Sequence, residues 1–217
     1  MDDYQKTFDS WNNLAEDYEA RFMNFKLYDD TYDFFLTLLK NGRRKVLEIG
    51  CGPGNITRYL MKKRPDLILT ATDVSPKMID RAKLNVPNVH FQVKDCRDLG
   101  SLNEVYDAVI CGFTLPYLSL PDRKKFLYDC SRLITKNGIL YISFVDAKLE
   151  KSVLTQDDKG NSMRFYYHNH QEVCKALEHV SFAVKKNLQY LLKRKMVLLK
   201  FTQLLFTRKT NYTDDLE

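Results

Sequence analysis

The sequence is poor in the residues that mark unusual protein classes. Only 8 glycines and 6 prolines occur among 217 residues, which excludes collagen-like and low-complexity chains. With 44% apolar and 29% charged residues, the composition is that of an ordinary globular protein and excludes disorder as the main state. The longest apolar runs, such as Phe34–Leu39, are too short to span a bilayer. The acidic start at Met1–Tyr4 lacks the basic and apolar pattern of a signal peptide.

The sequence also lacks closely spaced cysteine pairs, and it lacks acidic residues over a long stretch near its C-terminal end. The five cysteines are odd in number, widely spaced and without a CxxC pair, which argues against a disulfide framework or a zinc site. We therefore predict a reduced, cytoplasmic protein without a metal. No acid occurs from His179 to Thr213, where eight bases lie. A solvated strand face and a nucleic-acid surface are both open interpretations of this basic segment.

The middle of the chain alternates between strand and helix patterns. Short apolar runs at Lys45–Ile49, 67–71, Val89–Val93, Tyr106–Cys111 and Ile139–Val145 are separated by helix-like stretches. Such alternation predicts an α/β fold with a mostly parallel sheet and helices on both faces. Further predictions are helices in residues 1–40, a hairpin around Asp157–Asn161, helix 170–177, and strands 182–192 and 196–207 joined by a turn at Lys193–Lys195.

Glycines and acids follow three of the predicted strands. Gly50, Gly52 and Gly54 lie directly after the first strand, where parallel sheets bind ligands at the carboxyl ends of their strands. Asp73 ends the second strand, where a carboxylate can accept both hydroxyls of a ribose, and Asp95-Cys96 ends the third, placed to meet an adenine. Asn55 stands where a GxGxxG loop has its last glycine, which favours a nucleoside ligand without phosphates.

These motifs, in this order, resemble the class I S-adenosylmethionine-dependent methyltransferases of the small-molecule type, similar to the ubiquinone- and menaquinone-biosynthesis enzymes. The resemblance covers about residues 40 to 145. The matching segments are Val46–Gly54, Thr72–Ile79, Lys94–Cys96, Tyr106–Cys111 continuing to Leu118, and Arg132–Gly138. Lys136-Asn137 replaces the usual Pro-Gly, and Pro116-Tyr117 stands where many relatives carry a histidine.

The resemblance implies a Rossmann-like, doubly wound, seven-stranded sheet with an antiparallel C-terminal strand. It implies S-adenosylmethionine as the cofactor and S-adenosylhomocysteine as the product. The residues expected at the cofactor are Tyr18, Glu48, Gly50, Cys51, Gly52, Asp73, Val74, Met78, Asp95, Cys96, Cys111 and Phe113. Position alone motivates Tyr117, Tyr166 and His168 as contacts of the methyl acceptor. No catalytic residue and no metal ligand is assigned.

The function expected is methyl transfer to a small organic acceptor by in-line displacement. We expect one domain over 1–217, with a helical lid at 1–40 and a substrate-side insertion at 146–170. One alternative is an RNA or protein methyltransferase that uses the basic C-terminal hairpin. Others are a cofactor-binding protein without turnover and, weakest, a nucleotide-dependent dehydrogenase. The acceptor and the oligomeric state are not readable from the sequence.

Overall fold

The structure, a computed structural model, describes residues 3–194 and 197–208, with side chains up to residue 189. Within these ranges the chain forms seven α-helices and nine β-strands, which alternate only in the middle of the chain. The helices are α1 Asp3–Asn13, α2 Ala15–Phe22, α3 Asp29–Leu38, α4 Asn55–Lys63, α5 Pro76–Asn85, α6 Leu120–Leu133 and α7 His170–His179. The strands are β1 Lys45–Ile49, β2 Ile68–Asp73, β3 His90–Val93, β4 Tyr106–Cys111, β5 Ile134–Val145, β6 Lys151–Gln156, β7 Ser162–Tyr167, β8 Phe182–Arg194 and β9 Val197–Arg208.

Five parallel strands form the centre of the main sheet. Its order is β3-β2-β1-β4-β5-β9-β8, in which β9 runs antiparallel to both β5 and β8. The predicted α/β fold with a mostly parallel sheet is therefore confirmed. The main sheet has seven strands, as predicted, and among the described residues the strands of the predicted hairpin, β6 and β7, pair only with each other and form a second, two-stranded sheet.

Alternate side chains of the sheet pack into two cores. Val46 of β1 faces the cluster formed with α3, α4 and α5, whereas its neighbour Leu47 faces the cluster with α6 and α7. This follows from strand geometry, since successive side chains point to opposite faces. Both faces are thus covered by helices, as a continuous apolar parallel strand requires.

Several boundaries differ from the predicted ones. Strand β5 begins at Ile134 rather than Ile139 because Ile134 pairs with Tyr106 before the chain bends at Asn137, whose φ is +62°. Helix α6 begins at Leu120, since Ser119 accepts a hydrogen bond from the Asp122 N–H and acts as its N-cap. Strand β8 continues through Arg194, so part of the predicted turn is strand, and Lys195 and Met196 lie outside the described residues.

Helix α1 packs on the β6–β7 hairpin. Ser10 Oγ donates to the carbonyl of Ser162 (2.9 Å) and accepts from its N–H (2.8 Å). Arg164 pairs with Asp3 at 2.6 Å. These bonds join the N-terminal helices to residues more than 140 positions away, over the carboxyl edge of the sheet. Within the described part of the chain, every helix is too short or too polar to cross a membrane.

Candidate functional site

A cavity of about 1050 Å³ lies at the carboxyl ends of β1 to β4. Its floor is formed by the loops after these strands, and its roof by α1, α2 and β7. The short 3-10 turn Leu115–Tyr117 supplies one side through Pro116 and Tyr117. Most of the lining is apolar or aromatic, with a few polar groups at one end. This combination is typical of a site for an organic ligand.

The glycine loop after β1 is held against the end of β2. The N–H groups of Gly50 and Cys51 both donate to the Thr72 carbonyl, at 2.8 and 2.9 Å. Gly50 has φ of +70°, and a Cβ at this position would lie 1.9 Å from Thr114 Oγ1. Only glycine fits there, because a side chain would meet both backbone strain and a neighbouring atom.

Asp73 is fixed at the cavity by backbone groups. Its two carboxylate oxygens accept from the N–H groups of Gly52 and Ser75, each at 2.9 Å. Burial raises the pKa of this carboxyl, and the backbone N–H groups offset part of that rise. A carboxylate oxygen accepts more than one hydrogen bond. Asp73 therefore retains acceptor capacity toward a ligand with hydroxyl groups.

Glu48 is fully buried directly behind the glycine loop. Thr57 donates to its Oε2 at 2.6 Å, while its Oε1 is buried without a partner among the described residues. Burial raises its pKa to about 8, to which the charge of Asp73 contributes. A buried polar atom without a partner is rare in proteins. A cationic or hydrogen-bond-donating ligand group would satisfy this oxygen.

The third acid, Asp95, is joined to an arginine and a ring that the sequence did not single out. Arg97 binds the Asp95 carboxylate through its Nη2 at 2.6 Å, and its guanidinium lies 3.9 Å from the centre of the Tyr4 ring. All three residues line the cavity. Tyr4 comes from α1, and no spacing in the sequence indicates that this helix returns to the end of β3.

Aromatic rings surround the other end of the cavity. Trp11 packs edge-on against Tyr18 (5.5 Å) and Tyr117 (5.4 Å), and Tyr117 packs against Phe165 at 5.7 Å. Phe8, Trp11, Tyr18 and Phe22 of the two N-terminal helices all lie on the cavity wall. This end is called the aromatic chamber below; its rings are Trp11, Tyr18, Phe22, Phe25, Tyr28, Phe113, Tyr117, Phe165 and Tyr167.

The structure brings most of the predicted cofactor residues to this cavity. Those on its wall are Tyr18, Gly50, Gly52, Asp73, Val74, Met78, Asp95, Cys96 and Phe113. Glu48, Cys51 and Cys111 are buried behind the wall, because their side chains point into the sheet and its helices. Phe113 has φ of +58°, and its N–H donates to Ser143 Oγ at 2.9 Å. Such strain is common at functional sites.

Of the three predicted acceptor contacts, only Tyr117 lies on the wall. Tyr166 points away from it, since its neighbours Phe165 and Tyr167 on β7 face the cavity and strand side chains alternate. His168 is only 2% exposed, and both ring nitrogens bond to other parts of the protein. Among the described residues no histidine lines the cavity.

Comparison with known proteins agrees with this geometry. Residues 46–138 match a family described as "Methyltransferase domain". This segment is similar to a methyltransferase domain. The match begins in β1 and ends in β5, and includes the glycine loop, Asp73 and Asp95. The resemblance drawn from the motifs is thereby confirmed.

Curated relatives of the chain are named for different acceptors. The chain is 30% identical over 105 residues to demethylmenaquinone methyltransferase of Thermotoga maritima, covering 48% of this chain and 45% of the relative. It is 33% identical over 144 residues to malonyl-[acyl-carrier protein] O-methyltransferase of Bacillus anthracis, covering 59% and 52%. The match thus spans about half the length of these relatives.

Solved methyltransferase structures share the fold over nearly the whole chain. The complex of DhpI with S-adenosylhomocysteine (SAH) superposes with a TM-score of 0.74 at 19% identity, covering 96% of this chain and 98% of that one. Magnesium protoporphyrin IX methyltransferase from Synechocystis PCC 6803 with bound SAH gives 0.73 at 17% identity, covering 96% and 100%. At such identities the likeness shows the fold alone.

Proposed function

We propose that the protein binds S-adenosylmethionine and transfers its methyl group to a small organic acceptor. One observation carries this proposal: a single cavity contains strand-end acids suited to a nucleoside at one end and an aromatic chamber at the other. Its volume of about 1050 Å³ reaches the upper end of the roughly 300–1,000 Å³ of common ligand pockets. This favours a site that holds two molecules side by side.

The residues at the acidic end fit the methyl donor. Asp73 would accept hydrogen bonds from the ribose, with Met78 and Cys96 beside the adenine. The unpartnered Oε1 of Glu48 would receive the ammonium of the methionine part, directly or through water. A Cβ at Gly52 would come within 3.5 Å of Tyr18 Cε1, so the Tyr18 ring lies over the glycine loop that would hold the donor.

The sulfonium of the donor supplies an electrophilic methyl carbon. The protein therefore needs to hold the acceptor in line and to exclude water, and a base is needed only for an acceptor that must lose a proton. Burial raises the pKa of Tyr18 to about 12 and also raises that of Tyr117, so both phenols are protonated at neutral pH. We assign no catalytic base.

The donor site can be tested by calorimetry with S-adenosylmethionine, SAH and NAD. We expect micromolar binding of both sulfur nucleosides and none of NAD. Asp73→Ala should weaken SAH binding about 100-fold, since hydrogen bonds to a charged group are worth about 1.5–3 kcal/mol. The matched control is Asp66→Ala, which removes an exposed acid before β2. Equal affinities in both variants, or no binding by the wild type, would contradict the proposal.

The acceptor can then be sought with a methyl-labelled donor. Demethylmenaquinone, malonyl-acyl carrier protein and trans-aconitate are starting acceptors, because relatives are named for them. Cell extracts extend the search. Tight SAH binding without labelled product from any pool would favour the alternative of a cofactor-binding protein without turnover.

An RNA or protein acceptor is the second candidate, favoured only by the basic C-terminal hairpin. Lys186 of β8 lies 4.0 Å from the ring of Phe34, so at least one of the eight bases already contacts the protein's own surface. RNA binding that falls steeply with salt would favour this candidate. Absence of RNA binding at low salt would remove it.

We further propose that residues 1–40 act as a lid and 146–170 as the substrate-side insertion of one domain. The bonds between α1 and β7 support both assignments. The five cysteines are all free, which supports a cytoplasmic location. Cell fractionation tests the location.

A further inference from the structure

His168 lies where four parts of the molecule meet. It follows β7, and its backbone N–H donates to the carbonyl of Val145 at the end of β5 (3.2 Å). Its own carbonyl accepts from the Ala147 N–H at 3.0 Å. These backbone bonds fasten the end of the hairpin to the end of the main sheet, and they do not involve the side chain.

The imidazole makes two further bonds, to two other elements. Its Nε2 lies 2.7 Å from the carbonyl oxygen of Leu115, and its Nδ1 lies 2.9 Å from Arg123 Nη1 on α6. A carbonyl only accepts and a guanidinium only donates. The ring is therefore neutral, with its proton on Nε2. Arg123 is itself 1% exposed and forms an ion pair with Glu150, which holds the guanidinium in place.

The bond to Leu115 bears on the aromatic chamber. Leu115 begins the turn that carries Tyr117, and Tyr117 packs edge-on between Trp11 and Phe165. Phe165 lies on β7, the strand that His168 follows. One imidazole thus connects the turn behind Tyr117 with the strand behind Phe165, although it does not line the cavity.

We propose that His168 is a positioning residue for the methyl acceptor. Its neutral imidazole sets the spacing between the Leu115–Tyr117 turn and β7, and hence the width of the aromatic chamber, without contacting either substrate. This proposal rests on the proposed function in one respect, that the chamber receives the acceptor. Gly52 and Asp73 of the donor end lie after β1 and at the end of β2, and the imidazole of His168 bonds to neither.

The sequence contains one tryptophan, and this Trp11 contacts the Tyr117 ring directly. Its fluorescence therefore reports the chamber without any acceptor. His168→Phe keeps a ring but removes both bonds. His168→Gln restores one donor and one acceptor, both bonded to the same carbon as in the imidazole. His179→Phe, at the exposed end of α7, is the matched control.

We expect His168→Phe to change the emission maximum of Trp11 and to raise its quenching by acrylamide, while His168→Gln and His179→Phe match the wild type. SAH affinity should stay unchanged in all three. With an acceptor from the labelled-donor screen, KM should rise roughly 10- to 100-fold in His168→Phe, since displacements of about 1 Å have effects of this size. The loss of kcat/KM in His168→Phe should come from a higher KM rather than a lower kcat. The Gln variant should restore the wild-type KM.

The proposal is overturned if Trp11 emission and acceptor KM in His168→Phe equal those of the wild type. It is equally overturned if nitrogen NMR of the wild type finds the proton on Nδ1, a measurement that needs no variant to fold. A wild type that fails to bind SAH would instead defeat the proposed function, and the Trp11 measurement would still judge the role of His168 in the chamber.

Discussion

The two ends of the cavity are built in different ways. At the acidic end, backbone groups do the positioning: Gly50, Gly52 and Ser75 hold the loop and the Asp73 carboxylate through their N–H groups. At the aromatic end, contacts between side chains do the positioning. Trp11, Tyr117 and Phe165 come from three distant segments and meet through ring edges.

Under the proposed function, this difference separates the end that binds the methyl donor from the end that binds the acceptor. The acidic end lies within the matched methyltransferase domain, whereas the rings of α1, α2 and β7 lie outside residues 46–138. Backbone positioning tolerates few changes, because it depends on φ angles and close approach. Ring packing tolerates many substitutions, provided that the new side chains fill the same volume. The acceptor end can therefore diverge while the donor end stays the same.

Substitution of Gly50 should have the largest effect on stability, about 3 kcal/mol, and would sharpen the contrast. Gly50→Ala combines a left-handed φ with a Cβ 1.9 Å from Thr114 Oγ1, and strain of this kind costs about 1–3 kcal/mol before the clash. Gly42→Ala is the matched control, since Gly42 has φ of +87° with nothing within 4 Å. Chemical denaturation measures both. If Gly50→Ala loses no more stability than Gly42→Ala, the close approach of Thr114 to Gly50 does not matter for stability.

Glu48→Gln should stabilise the ligand-free protein by about 2 kcal/mol more at pH 8 than at pH 6, while weakening SAH binding. The folded state raises the pKa of Glu48 to about 8, so it binds a proton that the unfolded chain releases above about pH 4.5, and stability falls as pH rises through this window. Denaturation at pH 6 and pH 8 measures the change, which should be larger at pH 8. Unchanged SAH affinity would separate Glu48 from the donor site.

The aromatic end should respond to pH in the opposite direction. Burial lowers the pKa of His168 to about 4, below its ordinary 6.5, and Arg123 and Glu150 are the charged groups beside it. As the pH falls, His168 therefore binds a proton in the unfolded chain before it does so in the folded protein. The stability that His168 contributes is complete above pH 6.5 and is lost as pH falls toward 4.

Between pH 8 and pH 6 the loss should be about 1 kcal/mol. The difference in unfolding free energy between wild type and His168→Gln, measured at each pH, separates the contribution of His168 from those of the other titrating groups, above all Glu48. A difference that stays constant from pH 8 to pH 5 would mean that folding does not change the pKa of His168.

Tyr117→Phe should have the smallest effect on stability, below about 0.5 kcal/mol, because the ring contacts with Trp11 and Phe165 are kept. SAH affinity should be unchanged, and acceptor KM should rise if the hydroxyl meets the acceptor. Thermal unfolding, calorimetry and turnover measure the three quantities. A fall in SAH affinity instead would show that the two ends of the cavity are not separable.

Most of the fold and the acidic end of the cavity could be predicted from the sequence, because both depend on the positions of the parallel strands. Apolar runs at Lys45–Ile49 and Tyr106–Cys111 became strands with those bounds, since burial on both faces demands continuous apolar residues. Asp73 could be placed because the carboxyl ends of parallel strands share one edge. Boundaries failed where a contact across the sheet decided them, as at Ile134.

What the sequence determined by itself is local: strand and helix periods, the glycines that need positive φ, and acids at strand ends. Only the tertiary structure decided the assignments of His168, Tyr4 and Arg97. His168 looked like an acceptor contact and is a buried link between β7 and the Leu115–Tyr117 turn. Tyr4 meets Arg97 although 92 other residues separate them in the chain. Such contacts arise from the packing of distant segments, for which a single chain carries no periodic signal.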